Sequence, residues 1–347
     1  MSSTMTLKQL GQRIEHEQAG KKDMIVDTRN LELGHDNMLY VSQGEHDHGS
    51  RDFFNPNAHC HAQMATALGI PKRYYDRMSA EDPTLLAQNV NNWLHDNPST
   101  QMLRTMHGTA RAFLSDRYRR LDNIDLLTHI FPIFADIPDL RFHQAAMTDE
   151  RLYLRVITPR LTQEIAKGDA VSCGIEISNS EVGSGALQIK SFLLRLICMN
   201  GMTMEVALRK THLGKRIDDT TIYRDETVEA DDKAFFLQVR DVVENALSEA
   251  RFEQLISQLK DAASTDLLQN VIAATTTLAQ KHSLTESETS SILNHLITGG
   301  NLSLWGFANA VTDAADEAEE FGRQAELEAI GGALVNDLTY WKELVAA

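Results

Sequence analysis

A chain of 347 residues, 42% hydrophobic and 24% charged, has apolar material for one large domain or two ordinary ones, which excludes a disordered polypeptide. No apolar run approaches bilayer length, the opening MSSTMTLKQLGQRIEHEQAG holds no apolar signal core, and the cysteines (Cys60, Cys173, Cys198) form no C-x-x-C pair. A membrane span, a secretory leader and a disulfide scaffold are therefore not expected, and a cytoplasmic location is.

Residues 31–44, LELGHDNMLYVSQG, predict a short strand or two with turns. From Asn57 the spacing turns helical. HCHAQMATALG places His61, Met64, Ala65 and Leu68 on one face, and Gly69-Ile70-Pro71 stops it. KRYYDRM is a second short helix, and TLLAQNVNNWLHD (84–96) a third, broken by Asn97-Pro98. From about 101 the period changes. QMLRTMHGTARAFLS reads as two strands around His107-Gly108, and Asp122 to Phe134 as a helix opening on an Asx cap. LRFHQAAMTDERLYLRVITPR reads as two strands joined by Thr148-Asp149-Glu150, with Leu152, Leu154 and Val156 alternating against Tyr153, Arg155 and Ile157. DAVSCGIEIS is another alternating run. LLRLICMNGMTMEVALR centres on Asn200-Gly201, the pair favoured in two-residue hairpins, so 187–207 reads as a hairpin; the rival is a helix over 187–199 stopped at Asn-Gly. From about 230 the chain reads as helix: ADDKAFFLQVRDVVENALSEARFEQLISQLKDA lacks Gly and Pro, Thr285 with Glu288 forms a capping box, and Gly299-Gly300 forms a stop. Residues 302–338 give two more helices at most. The composition shifts at Arg224-Asp225-Glu226. The expected architecture is α+β: a mixed or antiparallel sheet with flanking helices over residues 1–224, then an acidic, mostly helical region over 225–347.

The net charge of −16 speaks against a nucleic-acid partner only until it is divided along the chain. Residues 1–100 hold 9 Lys/Arg against 13 Asp/Glu, residues 101–216 hold 16 against 12, and residues 217–347 hold 8 against 24. The middle third alone is net basic, and 12 of its 16 cations are arginine, whose fork bonds phosphate bidentately. The stretch TARAFLSDRYRRLDN (109–123) interleaves Arg111, Arg117, Arg119 and Arg120 with Phe113 and Tyr118. That is the composition of a groove for single strands, charge for the backbone and rings for the bases; the plainer reading is a turn into a helix carrying solvated arginines. Lys190, Arg195, Arg209 and Lys210, with Lys215 and Arg216, extend such a face if the hairpin forms.

Other chemistries find little support. Gly183-Ser184-Gly185 satisfies neither the dinucleotide pattern, which needs glycine where Gln188 stands, nor a P-loop, so a turn is expected. His46, His48, His59, Cys60 and His61 cluster within 16 residues, but their spacings match no common zinc site; no metal and no cofactor are expected. There is no G-x-S-x-G and no H-E-x-x-H, and Cys173 and Cys198 sit in apolar runs where an inert thiol is the default.

ALGIPKRYYDRM, RAFLSDRYRRLDNIDLL, GIEISNSEVGSGAL with LLRLICMNGM, and LWGFANAVTDAAD occur in this order. Together they resemble the phage- and plasmid-like proteins grouped as domain-of-unknown-function family 932, over roughly residues 60 to 335. The resemblance implies a bacterial or phage protein of mobile-element biology and supplies no catalytic residues. The leading expectation is a non-enzymatic, homo-oligomeric protein of phage or plasmid DNA metabolism that binds or anneals single-stranded DNA in recombination. In it Arg111, Arg117, Arg119, Arg120 and Lys190 meet phosphates, and Phe113 and Tyr118 stack on bases. The annealing part is an analogy with phage annealing proteins. The alternative is a protein-interaction module, an anti-defence or regulatory factor acting on a host or phage protein through its acidic helices. A hydrolase or nuclease would need a dispersed site that the sequence does not display.

Overall fold

The computed structural model describes residues 4–42, 51–210, 225–265 and 267–346. A capping box between Thr6 and Gln9 opens α1 (Leu7–Gly20), which runs into β1 (Lys21–Asp27). After β2 (Leu31–Leu33), β3 (Leu39–Ser42) and β4 (Arg51–Pro56) come three short helices: α2 (Ala58–Ala67), capped by the Asn57 side chain; α3 (Lys72–Glu81); and α4 (Pro83–Asp96), with Asp82 as cap and proline at its first position. β5 (Thr100–Met106) and β6 (Thr109–Ser115) form the expected hairpin, and His107 and Gly108 both take positive φ (49° and 80°) in a two-residue turn. These strands make a mixed six-stranded sheet ordered β1-β5-β6-β4-β3-β2, in which only β4 and β6 run parallel. Helices α2 and α4 pack on it around Leu31, Leu33, Leu103, Phe113, Met64, Leu86 and Val90.

α5 (Asn123–Asp136) links to a five-stranded antiparallel meander, β7 (Arg141–Met147), β8 (Leu152–Ala166), β9 (Asp169–Asn179), β10 (Leu187–Arg195) and β11 (Gly201–Lys210). Seven helices follow: α6 (Asp225–Ala246), α7 (Glu249–Ala263), α8 (Val271–His282), α9 (Glu286–Gly299), α10 (Leu304–Ala315), α11 (Phe321–Asn336) and α12 (Leu338–Ala346). The long run lacking Gly and Pro is interrupted at Leu247-Ser248, where the Ser248 side chain caps α7. The capping box at Thr285/Glu288 and the Gly300 stop (φ 65°) both form. Among the described residues no helix is long and apolar enough to cross a membrane. The fold is α+β, with strands gathered in the first two thirds and helices in the last.

The second sheet is covered on both faces. Leu154, Val156, Cys173, Ile175, Ile177 and Ile189 face a core built with Phe235, Val239, Leu255 and Leu259 of α6 and α7. The alternate residues Tyr153, Arg155, Glu176 and Phe192 lie under α11, so the alternation of β8 does not mark a solvent side.

The hairpin at 187–210 is present and the rival helix is not, but its turn differs from the two-residue Asn-Gly type. Leu194 pairs with Gly201, leaving a loop over 196–200 in which Met199 takes the positive φ (62°). The physical reason is tertiary: the Asn200 side chain donates to Thr312 Oγ1 and Asp313 Oδ1 of α10, both at 2.7 Å, and Gly201 sits where a Cβ would strike the Phe192 ring.

Candidate functional site

Two of the stretches that carry the family resemblance, 111–127 and 174–187, meet where the sheets adjoin. The Gly/Ser knot is a turn between β9 and β10, held from several sides. The Val182 carbonyl accepts from Gln63 Nε2 (2.7 Å) and lies 2.9 Å from His59 Nε2; Tyr118 OH donates to the Ser180 carbonyl (3.1 Å), and Arg151 donates to that of Ala186 (3.0 Å). Gly183 (φ 77°) runs so close to Leu114 that a Cβ would approach it to 2.6 Å. The Val182 and Ser184 amides, which a phosphate cradle would aim at its ligand, donate to Ser180 Oγ (3.3 and 2.9 Å), so the loop is a turn closed by its own side chain.

Beside the turn, Glu181 enters the interior. Its carboxylate accepts from Lys21 Nζ (2.6 Å), Arg111 Nη1 (3.2 Å) and the Asn123 amide (2.7 Å). Next to it the buried Arg104 guanidinium donates to both oxygens of Asp23 (2.9 and 3.1 Å), to Asp122 (2.6 Å) and to the Glu181 carbonyl (2.7 Å). Arg120 closes the network on Asp23 at 3.2 Å. Burial alone would raise the Glu181 carboxyl; Lys21, the Asn123 amide and Arg111 outweigh it and hold the group below the usual carboxylate range. Asp23 is held low in the same way, by Arg104 and Arg120 against burial. Asp122 stands at the N-cap of α5 but makes no capping bond, contrary to the Asx cap expected there, because Arg104 engages its carboxylate. Glu181, 58 residues further on, caps the Asn123 amide instead.

Three interior cations, Lys21, Arg104 and Arg111, and three anions are thus locked together, with the exposed Arg120 at their margin, which fixes the geometry of the junction. Ser184 Oγ bonds to Glu150, and His59 Nδ1 lies 3.5 Å from the same carboxylate oxygen. A hydrolytic triad needs the imidazole between hydroxyl and carboxylate; here the carboxylate stands between the other two. Among the described residues no group of three His, Cys, Asp or Glu can hold a metal. His59 faces Val182, His61 bonds Tyr75 (2.8 Å), and burial pushes the Cys60 thiol up to about 12; His46 and His48 lie outside the described residues.

The structure separates the basic residues singled out from the sequence. Arg111 is buried on Glu181, and Phe113 is a core residue only 4% exposed, so neither stands at the surface. The cause is their place in β6, a strand flanked on both sides and covered by α2. Tyr118 is half-buried, with its OH donated inward. Lys190 lies 3.6 Å from Glu176, and Arg195 makes a bidentate pair with Asp169. Arg117 and Arg120 are exposed and Arg119 is half-buried, all on the loop between β6 and α5. Arg209 is exposed at the end of β11, and the Lys210 ammonium sits 4.2 Å from the Phe235 ring centroid. Lys215 and Arg216 lie outside the described residues.

Register brings the last two groups to one end of the sheet. Arg209 pairs with Gln188, which pairs with Ser178, and the adjacent Asn179 and Ser180 hold the Leu121 carbonyl and Tyr118 OH. Two strand spacings, roughly 10 Å, separate the arginine loop's anchor from Arg209.

The charges that the sequence reading passed over are the buried ones. Under α11, Arg155 bonds Glu176 (2.8 Å from Nε) and Glu328 (3.0 Å from Nη1), with the Phe192 and Phe321 rings each 4.8 Å away. Burial pushes Glu328 up to about 7 despite Arg155. The one available signal was a charged residue inside each alternating run, Arg155 in LYLRVIT and Glu176 in GIEIS.

The molecule is thus an α+β protein whose most elaborate polar site is a set of interlocked ion pairs at a junction of two sheets. The family described as "Domain of unknown function (DUF932)" matches residues 111–329, and the chain belongs to it. No curated protein and no solved structure matches the chain.

Proposed function

We propose that this is a non-enzymatic nucleic-acid-binding protein of phage and plasmid DNA metabolism, acting in the cytoplasm on single-stranded DNA. The observation that carries the reading is the convergence of Arg117, Arg119 and Arg120 with Arg209 and Lys210 at one end of the five-stranded sheet. The arginine loop springs from a buried network that fixes its base, so little ordering entropy remains to be lost on contact with a polyanion. The interior places of Arg111 and Phe113 change the chemistry of the reading. What remains is charge without a stacking platform, which favours sequence-independent contact with the phosphate backbone.

A salt titration with a labelled single-stranded oligonucleotide tests it. Five phosphate contacts give a log–log slope of about −3.5 on single strands, and replacing Arg117, Arg119 and Arg120 by alanine reduces it by about 2. Absence of binding at low salt overturns the reading; binding with an unaltered slope in the triple variant overturns the site.

A further inference from the structure

A hollow of about 750 Å³ opens beside the Gly/Ser turn, lined by none of the residues assigned to phosphate. One wall is the turn from β7 to β8. It is stiff: the Thr148 amide donates to the Arg151 carbonyl (2.9 Å), and Thr148 Oγ1 accepts from the Glu150 and Arg151 amides (3.2 and 2.9 Å). A second wall is the start of α11, pinned where Arg323 makes a bidentate pair with Glu288 of α9 (2.7 and 2.9 Å). The Tyr153 and Phe321 rings, with centroids 5.0 Å apart, join the two walls. The hollow is therefore set before a ligand arrives, and its volume falls in the range of roughly 300–1,000 Å³ that small-molecule sites occupy.

Its charge is one-sided. The lining carries five carboxylates, Asp149, Glu150, Glu319, Glu320 and Glu326, against two guanidiniums, Arg151 and Arg323. Both guanidiniums are engaged. Arg323 is held by Glu288 and by Glu326 (2.7 Å), and Arg151 donates to the Ala186 carbonyl (3.0 Å). Glu150 has the Ser184 hydroxyl and, at 3.5 Å, the His59 ring beside it. Asp149, Glu319 and Glu320 pair with no cation among the described residues. A helix dipole draws carboxylates to its N-terminus, which accounts in part for Glu319 and Glu320. It does not account for Asp149 and Glu150 on the other wall, and Glu320, at the N-cap, makes no side-chain capping bond.

Tyr153 gives an independent sign of a ligand. It is only 8% exposed, yet its hydroxyl has no hydrogen-bond partner among the described residues. Buried tyrosine hydroxyls are ordinarily bonded. This one lines the hollow, 3.7 Å from where a Cβ on Gly322 would stand, and burial holds its pKa above the usual value. A neutral hydroxyl with open lone pairs thus lies among unneutralised carboxylates.

We propose that the hollow binds a small aliphatic polyamine. Its ammonium groups meet the carboxylates of the two walls and the Tyr153 hydroxyl, while its methylene stem lies along the rings. The placement of the carboxylates favours this ligand over a metal ion. They stand on two separate elements, and among the described residues no three ligating groups converge as a hard cation requires. The proposal does not rest on DNA binding, since the hollow repels the phosphates that the arginine loop attracts.

Isothermal titration with spermidine, without DNA and at constant ionic strength, tests it on the full chain. One saturable site is expected, and spermidine raises the melting temperature. Tyr153→Phe keeps the ring and the net charge and removes only the hydroxyl; it weakens binding about three- to tenfold. Asp149→Asn combined with Glu319→Gln weakens it about tenfold. Glu253→Gln, an exposed carboxylate of α7 outside the hollow, leaves the affinity unchanged. Unchanged circular dichroism shows that the variants fold. Magnesium at the same ionic strength does not displace spermidine, and a lysine tripeptide does so only at higher concentration. Absence of a saturable site, binding that Tyr153→Phe leaves intact, or displacement by an equal concentration of magnesium overturns the proposal. A tripeptide that binds more tightly than spermidine overturns the polyamine as occupant and assigns the hollow to a basic protein.

Discussion

Glu181 is the residue on which the junction turns, because one carboxylate serves Lys21, Arg111 and the first amide of α5. Glu181→Ala strands two buried cations and an uncapped helix start. The expected cost is about 3–5 kcal/mol, read as a lowered urea midpoint at unchanged m-value. Its pH dependence has a definite sign. The folded group titrates below its ordinary 4.5, so its contribution is complete above that value and is lost as the pH falls through the folded pKa. Glu328 acts in the other direction. Burial raises it from 4.5 to about 7, so the folded state holds its proton more tightly, and stability falls as the pH climbs through that window. Glu328→Gln, which keeps an acceptor for Arg155 but does not titrate, is expected to flatten the decline in melting temperature between pH 5 and pH 7. A wild-type and variant difference that does not change over that range contradicts the assignment.

At the scale of elements, what the sequence revealed and what it concealed divide by range. The capping box at Thr285/Glu288, the His107-Gly108 hairpin and the Gly300 stop are bonds between residues a few positions apart, and each is visible in its own segment. The Asx cap at Asp122 and the Asn-Gly turn at 200–201 were local readings overridden from afar, the first by Arg104 and the second by α10. The candidate site suffered most. Spacing shows which residues are charged, not which are neutralised; Arg111, Arg155 and Arg195 pair with carboxylates 21 or more positions away, and Lys190 lies near one on a neighbouring strand. The same logic gives a prediction for the β10–β11 loop. Asn200→Ala frees the loop from α10 and leaves the Asp313 carboxylate without its amide donor. A loss of about 1–3 kcal/mol is expected. Hydrogen exchange should quicken in residues 195–201 before it does in β8 or β9; uniform protection across the meander would show that the loop does not depend on that bond.

At the scale of the molecule, the question is whether residues 1–224 stand alone. The meander supplies Leu154, Val156, Cys173, Ile175 and Ile189 to its main core, and the helices supply Phe235, Val239, Val243, Leu255, Ile256 and Leu259 to the same core. On the other face, Glu328 of α11 is one of the two carboxylates that pair with Arg155. A chain ending at 224 therefore loses two coverings at once. It exposes an apolar sheet face to water and leaves a buried guanidinium with half its partners, and either loss is of the order of the whole stability of an ordinary domain. The six-stranded sheet keeps its own core with α2 and α4, but its junction with the meander rests on Glu181, which projects from the end of β9. The expected outcome for the 1–224 fragment is a collapsed state with strand signal in the far ultraviolet and no fixed near-ultraviolet spectrum, binding a hydrophobic dye that the full chain excludes. Full-length protein should instead unfold in one transition seen alike by both spectral regions. A fragment that melts cooperatively with a native near-ultraviolet spectrum would mean that the helical third is an appendage to the meander rather than half of its core.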